Sequence, residues 1–224
     1  MSPRASLMDI YETLRGAFGH RGWWPAETAF EVMVGAILTQ NTNWGNVEKA
    51  ISRLKDGGLL QAHAMAACAP QRLQEAIRPS GYYRQKSARL LRIAAWLVER
   101  CEGAVGELES VPTDELRSEL LALRGVGPET ADSILLYALG RPVFVVDTYT
   151  MRVAVRHGRA EPGCGYGELQ GLFEIELPRD VELYGDFHAQ LVEVGKRFCR
   201  PTPRCADCPL HPLLGDPEDE ASLL

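Results

Sequence analysis

The sequence predicts an all-α fold, and three observations carry that expectation. Apolar residues recur with helical period through most of the chain, and no stretch alternates apolar and polar residues for long enough to build a sheet. The third is the tight connection Gly125-Val126-Gly127-Pro128, which lies between two of the helical runs.

Taken in order, Leu7, Ile10, Tyr11, Leu14 and Phe18 share one face of a first helix. Gly22-Trp23-Trp24-Pro25 then breaks the pattern. Neighbouring residues point to different faces, so at least one of the two indoles is free to point away from the local core. Thr28 is a capping residue for an apolar helix over Phe30 to Leu38, with Glu31 expected to complete a capping box. That helix runs into Thr39-Gln40-Asn41-Thr42-Asn43-Trp44. A cap needs one polar side chain, so the excess suggests a surface that meets a partner rich in donors and acceptors. Helical runs follow over 47–54, up to Gly57-Gly58, over 73–77, and, after a loop through Tyr83, over 85–101.

Residues 114–123 and 129–139 then form the two arms of a helix-hairpin-helix. Gly125 and Gly127 are expected to take positive φ and to let a partner approach the backbone. Pro128 suits the first helical position, and the N–H groups at that helix start can grip a phosphate oxygen. Asp147 follows the apolar run Val143-Phe144-Val145-Val146 and opens a helix over 148–156. From the residues alone it is either a helix cap or a carboxylate kept for chemistry near the hairpin. Two more helices are expected over 166–177 and 181–199.

At 224 residues and 46% hydrophobic content, the chain can bury a sizeable core in one or two domains. No run approaches the ~20 apolar residues of a membrane span. The first residues lack a secretory segment, so the chain is expected to stay in the cytoplasm, with its six cysteines reduced or metal-bound. A formal charge of −6 argues against a uniformly basic nucleic-acid binder. Asp216, Glu218, Asp219 and Glu220 carry most of it, and two basic clusters remain: Arg78, Arg84, Lys86, Arg89 and Arg92, and Lys196, Arg197, Arg200 and Arg204. Each of these residues also reads simply as part of a solvated helix face.

The order Leu123-Arg124-Gly125-Val126-Gly127-Pro128-Glu129-Thr130-Ala131, then Val146-Asp147-Thr148, then Cys199, Cys205 and Cys208, resembles the endonuclease III superfamily of base-excision DNA glycosylases. The resemblance runs from about residue 26 to 208. It implies a six-helix barrel with the hairpin over 27–140, a second helical domain from 1–26 plus 141–224 bearing the cysteine loop, and an active-site cleft between them. The implied partner is double-stranded DNA containing a damaged base, bound by a monomer in the cytoplasm or at a nucleoid. Gln40 would fill the space left by an extruded base, with Gly125, Val126, Gly127 and Thr130 also on the DNA.

In bifunctional members of the superfamily, a lysine two residues after the last hairpin glycine forms a Schiff base with the sugar. Here that position is Glu129. A carboxylate cannot form an imine, so the resemblance implies hydrolysis without strand cleavage. Asp147, ionised, would stabilise the oxocarbenium-like sugar and steer a water to C1′. Glu129 either favours the positive end of its helix or touches the base or the water. Trp-Trp-Pro, an aromatic at Trp44 and a glutamate in the hairpin resemble the branch that excises 3-methyladenine. Trp23, Trp24 and Trp44 would then hold a cationic N-alkylated purine. Two alternatives stand beside this: a bifunctional enzyme for oxidised pyrimidines that uses another amine, such as Lys196, and a non-catalytic binder of damaged DNA.

The C-x5-C-x2-C spacing of Cys199, Cys205 and Cys208 resembles the [4Fe–4S] loop of the same superfamily. Such a cluster ordinarily takes four thiolates, and the fourth, due near Leu213 or Leu214, is missing. His211 is the candidate replacement; a Cys₃His zinc site and loss of the metal are the other readings. The loop would be structural, holding Arg200 and Arg204 toward the DNA backbone. Cys68, Cys101 and Cys164 read as ordinary thiols and His188 as a core histidine.

Overall fold

A computed structural model describes residues 5–214, and the described residues contain helices and no strand. The chain forms two compact units. One is Trp24–Arg141; the other combines the two ends, up to Trp23 and from Pro142 onward.

The Trp24–Arg141 unit is built on α2 (Ala29–Leu38), in which every residue from Phe30 to Leu38 is buried. A helix apolar on all sides belongs inside its domain, and α3 (Trp44–Asp56), α6 (Tyr83–Cys101), α8 (Pro128–Ser133) and its continuation pack on it. Two short helices, α4 (Ala62–Ala66) and α5 (Pro70–Ala76), precede α6, and α7 (Thr113–Ala122) leads into the hairpin. After Ser133 the second arm widens into a π-turn over Ile134–Ala138 rather than continuing as one α-helix.

Thr28 caps α2 as expected, but Glu31 does not close the box. Its carboxylate accepts from the Glu27 N–H (3.1 Å) and pairs with Lys55 (3.1 Å) instead. Lys86, placed by its sequence in a basic surface cluster, is buried. Its ammonium donates to the carbonyls of Leu38 (2.9 Å) and Ser80 (2.7 Å), satisfying acceptors left over at the end of α2 and in the turn before α6.

In the other unit, α1 (Leu7–Phe18) carries a complete capping box between Ser6 and Asp9 and lies on α11 (Val181–Arg197), which also packs on α9 (Thr148–Arg156). Buried Asp186 of α11 accepts from the Tyr11 hydroxyl (3.0 Å) and the Arg21 N–H (2.8 Å), tying down α1 and the loop after it. The run Val143–Val146 is buried but has no strand to pair with. The Phe144 N–H donates to Glu174 (2.8 Å) and its carbonyl accepts from Gln170 (2.7 Å), both on α10 (Tyr166–Glu176). Side chains thus satisfy the backbone groups that a sheet would otherwise pair. Stacked Phe144 and Phe173 (4.2 Å), with Tyr184 and Phe187, fill the core beneath.

Candidate active site

Asp147 is the N-cap of α9, so the capping role and a chemical role fall on different oxygens. Its Oδ1 accepts from the Thr150 N–H (2.7 Å) and hydroxyl (2.9 Å). Its Oδ2 lies 3.7 Å from Nε2 of His188 on α11, the two side chains being 11% and 8% exposed. Burial is the largest influence on Asp147 and pushes its carboxyl up. His188 and the two Thr150 donors together outweigh it, and the group lies below the ordinary carboxylate value. A buried, ionised carboxylate with one oxygen left over from capping can stabilise positive charge or orient a water. His188, a core histidine by its sequence setting, is the residue beside it; nothing in the linear sequence brings 188 to 147.

In the Trp24–Arg141 unit, a cavity of about 270 Å³ is lined by Trp24, Trp44, Glu31, Glu48, Lys55 and Asp56 among others. Trp24 packs on α2 at Gly35, where an added Cβ would come within 3.1 Å of its Nε1. Trp44 meets Trp24 edge-on at 5.4 Å and Tyr137 lies against Trp24 at the same distance. The indole N–H of Trp44 donates to Glu48 (2.9 Å), one turn on along α3. Trp23 is not among the lining residues. It belongs to the other unit, where Lys196 Nζ is 6.0 Å from its ring centre. That contact also places the amine considered as an alternative nucleophile.

At the hairpin, Gly125 has φ +97° whereas Gly127 has φ −100°, so only Gly125 needs glycine for its backbone conformation. Gly127 is the N-cap of α8, and a Cβ there would meet nothing within 4 Å. Its bareness leaves room for a partner instead of relieving strain. Pro128 opens α8 as expected, and Glu129 is exposed in its first turn. Gln40 reaches the hairpin: its amide donates to Thr130 Oγ1 (2.9 Å) and the Gly125 carbonyl (3.3 Å) and accepts from Arg89. Val126 and Thr130 are buried. Gln40, Arg89, Gly125 and Thr130, brought together from three parts of the sequence, thus form one hydrogen-bonded patch.

Cys199, Cys205 and Cys208 line a second pocket together with Arg156, His157 and His211. Burial pushes the Cys208 thiol up, and Cys199 and Cys205 are close enough to add to the shift. Among the described residues no three His, Cys, Asp or Glu side chains converge on one point as a single ion requires. A [4Fe–4S] cube gives each ligand its own iron, so its donors ring a cavity, and three soft thiolate donors around one pocket fit that group. Arg152 and Arg156, which the sequence did not single out, brace the loop. Arg152 donates to the Cys199 carbonyl (2.6 Å), and Arg156 to the carbonyls of Arg200 (2.6 Å) and Pro201 (2.9 Å) and to Cys199 Sγ (3.2 Å).

An all-helical chain with a helix-hairpin-helix and a buried, ionised aspartate capping a later helix has the parts of a base-removing DNA enzyme. The chain belongs to the HhH-GPD superfamily of base excision DNA repair proteins, whose sequence pattern matches residues 34–178. It is 47% identical over 206 residues to a Methanocaldococcus jannaschii protein named as a DNA repair glycosylase, covering 91% of this chain and 93% of that one. It is 34% identical over 180 residues to endonuclease III of Thermotoga maritima, covering 80% and 79%. In three dimensions it is similar to the H. pylori 3-methyladenine DNA glycosylase bound to 1,N6-ethenoadenine (TM-score 0.76, 29% identity, 86% and 98% covered). It is equally similar in kind to an endonuclease III trapped in a covalent intermediate with DNA (TM-score 0.80, 25% identity, 98% and 100% covered). The endonuclease III-like resemblance, the all-α fold and the DNA N-glycosylase class expected from the sequence therefore hold.

Proposed function

We propose that this glycosylase hydrolyses the N-glycosidic bond of alkylated purines such as 3-methyladenine in double-stranded DNA, working as a monomer and leaving the strand intact. The cavity carries the substrate class. Two indoles offer faces to a base, and Glu31, Glu48 and Asp56 outnumber the one amine, Lys55, around them. A ring made cationic by alkylation gains from both, whereas a neutral oxidised pyrimidine gains only from stacking. The edge-on Trp24–Trp44 pair leaves no parallel slot, so taking up a base requires one indole to turn.

In this reading Asp147, kept ionised by His188 and Thr150, stabilises the developing positive charge on the sugar and steers the attacking water. A cationic base leaves readily, so no strong acid is required opposite. Glu129 presents a carboxylate where strand cleavage would need an amine. Gln40 and the hairpin, through Gly125, Val126, Gly127 and Thr130, hold the DNA. Cys199, Cys205 and Cys208 would hold a [4Fe–4S] cluster, whose contribution would be a cross-link that fixes the C-terminal loop and its arginines.

The test is base release from duplex DNA treated with a methylating agent, with strand breaks scored before and after hot alkali. Methylated purine should appear, with breaks that need the alkali. Breaks without alkali would overturn the monofunctional reading, and binding without release of any base would overturn the substrate class.

A further inference from the structure

We infer that His157, through Nδ1, is the fourth ligand of the iron–sulfur cluster, an inference that rests on the proposed cluster at Cys199, Cys205 and Cys208. His157 follows the last residue of α9 and lines the same pocket as the three thiols. Its Nδ1 is shut off from solvent and has no hydrogen-bond partner among the described residues. The backbone of Leu213 lies beside the ring. A buried ring nitrogen without a partner, in a pocket shared with three thiols, is available as a metal ligand. His211 lines the pocket too, but it is exposed and lies on the short turn His211–Leu213.

The chain supplies no fourth cysteine to the pocket. Cys164 lies elsewhere in this unit with its thiol 3.4 Å from the Met151 sulfur, and Cys68 and Cys101 are in the other unit. Leu214 lines the pocket, and the backbone of Leu213 lies beside His157. The imidazole therefore enters next to the stretch where a fourth thiolate would have arrived. It comes from a helix end that the neighbouring Arg156 already fastens to the cysteine loop, through Cys199 Sγ and the carbonyls of Arg200 and Pro201. One neutral imidazole in place of a thiolate makes the cluster one charge less negative. Its potential should lie above that of an all-thiolate cluster, as histidine ligation raises it in other iron–sulfur centres.

The experiment uses the full chain purified without oxygen, with iron, acid-labile sulfide, reduction potential and nitrogen hyperfine coupling measured by pulsed EPR. The unsubstituted chain should hold ~4 irons with a coupled nitrogen. His157→Ala should fall to ~3 irons. His157→Cys should keep the full cluster, lose the nitrogen coupling and show a lower potential, so that a folding defect in the alanine variant does not decide the matter. His211→Ala should match the unsubstituted chain. A full cluster that keeps its nitrogen coupling in His157→Cys overturns the assignment, as does loss of iron in His211→Ala but not in His157→Ala. An unsubstituted chain that holds no iron overturns the cluster itself.

Discussion

Replacing Asp147 by asparagine separates two tasks that the carboxylate performs at once. Its Oδ1 caps α9 through the Thr150 N–H (2.7 Å) and hydroxyl (2.9 Å). Asparagine caps as well as aspartate, whereas alanine loses about 1 kcal/mol at such a position. Asp147→Ala should therefore lower Tm by roughly 2–4 °C for a chain of this length, and Asp147→Asn by distinctly less. The charge is a different matter. Removing one preorganised electrostatic group from a site of this kind costs about 10²–10³ in kcat, or about 3–4 kcal/mol. Single-turnover base release from methylated duplex DNA, with Kd measured separately, should show that loss in Asp147→Asn with affinity nearly unchanged. His188→Gln, which keeps a donor near Oδ2, should lose much less rate than His188→Phe, and the His188 effect should vanish in the Asp147→Asn background. The folded pKa of Asp147 lies below its unfolded value. Its stabilising contribution is thus complete above about pH 4 and is lost only as pH falls through the lower folded value. Base release should accordingly show no acid limb from Asp147 between about pH 5 and 7. An asparagine variant that releases base at the original rate, or such a limb, would refute the role assigned to the charge.

Three further outcomes follow from the geometry. Gly125→Ala must hold φ near +97° and push a Cβ within 2.5 Å of Arg89 Nε; a destabilisation of about 2 kcal/mol is expected by denaturant titration, with weaker DNA binding. Burial, helped by the charge of Arg89, lowers Lys86 to about 8. The unfolded chain then binds that proton more tightly, so stability should rise between about pH 8 and 10.5 by at most about 3 kcal/mol, and Lys86→Met should flatten that slope. The two carbonyls on the ammonium make that figure an upper bound. Borohydride should trap no covalent adduct of the unsubstituted chain with abasic DNA, whereas Glu129→Lys restores an amine able to form one; a trapped adduct without the substitution would point to another amine, such as Lys196.

Helix positions, the hairpin and the capping aspartate were readable in the sequence because each rests on local chemistry: a 3.6-residue period, Gly-x-Gly-Pro, and a polar residue before a helix. What escaped depends on distant residues. Glu31 left its capping box because Lys55, on the next helix, offers a cation at 3.1 Å. Lys86 looked like surface charge, yet two carbonyls draw it inside. Gly127 was expected at positive φ by analogy with Gly125, but the turn needs only one such residue. Trp23 and Trp24 are adjacent in sequence, yet only Trp24 is among the residues that line the cavity with Trp44. His188 and His157 had no sequence signal at all beyond being histidines, since Asp147 beside the one and the three cysteines lining a pocket with the other lie 41 and more residues away.

Gln40 raises a last question of exchange. Its amide is fully engaged: the carbonyl oxygen takes the Arg89 guanidinium, and the NH₂ serves Thr130 Oγ1 and the Gly125 carbonyl. If Gln40 fills the place of an extruded base, all three bonds must be given up. Hydrogen-bond exchange is near neutral only when every released group finds a new partner. Thr130 and Gly125 lie where the hairpin meets its ligand on the proposed reading, and Arg89, once freed, is a guanidinium suited to bidentate phosphate recognition. Exchange is then balanced on DNA with a vacant stack position and unfavourable on intact duplex, where Gln40 finds no opening and Arg89 stays bound to it. Arg89→Ala removes that coupling. It should narrow the Kd ratio between intact and abasic duplex several-fold, and binding that weakens equally for both would show that Arg89 contributes charge alone.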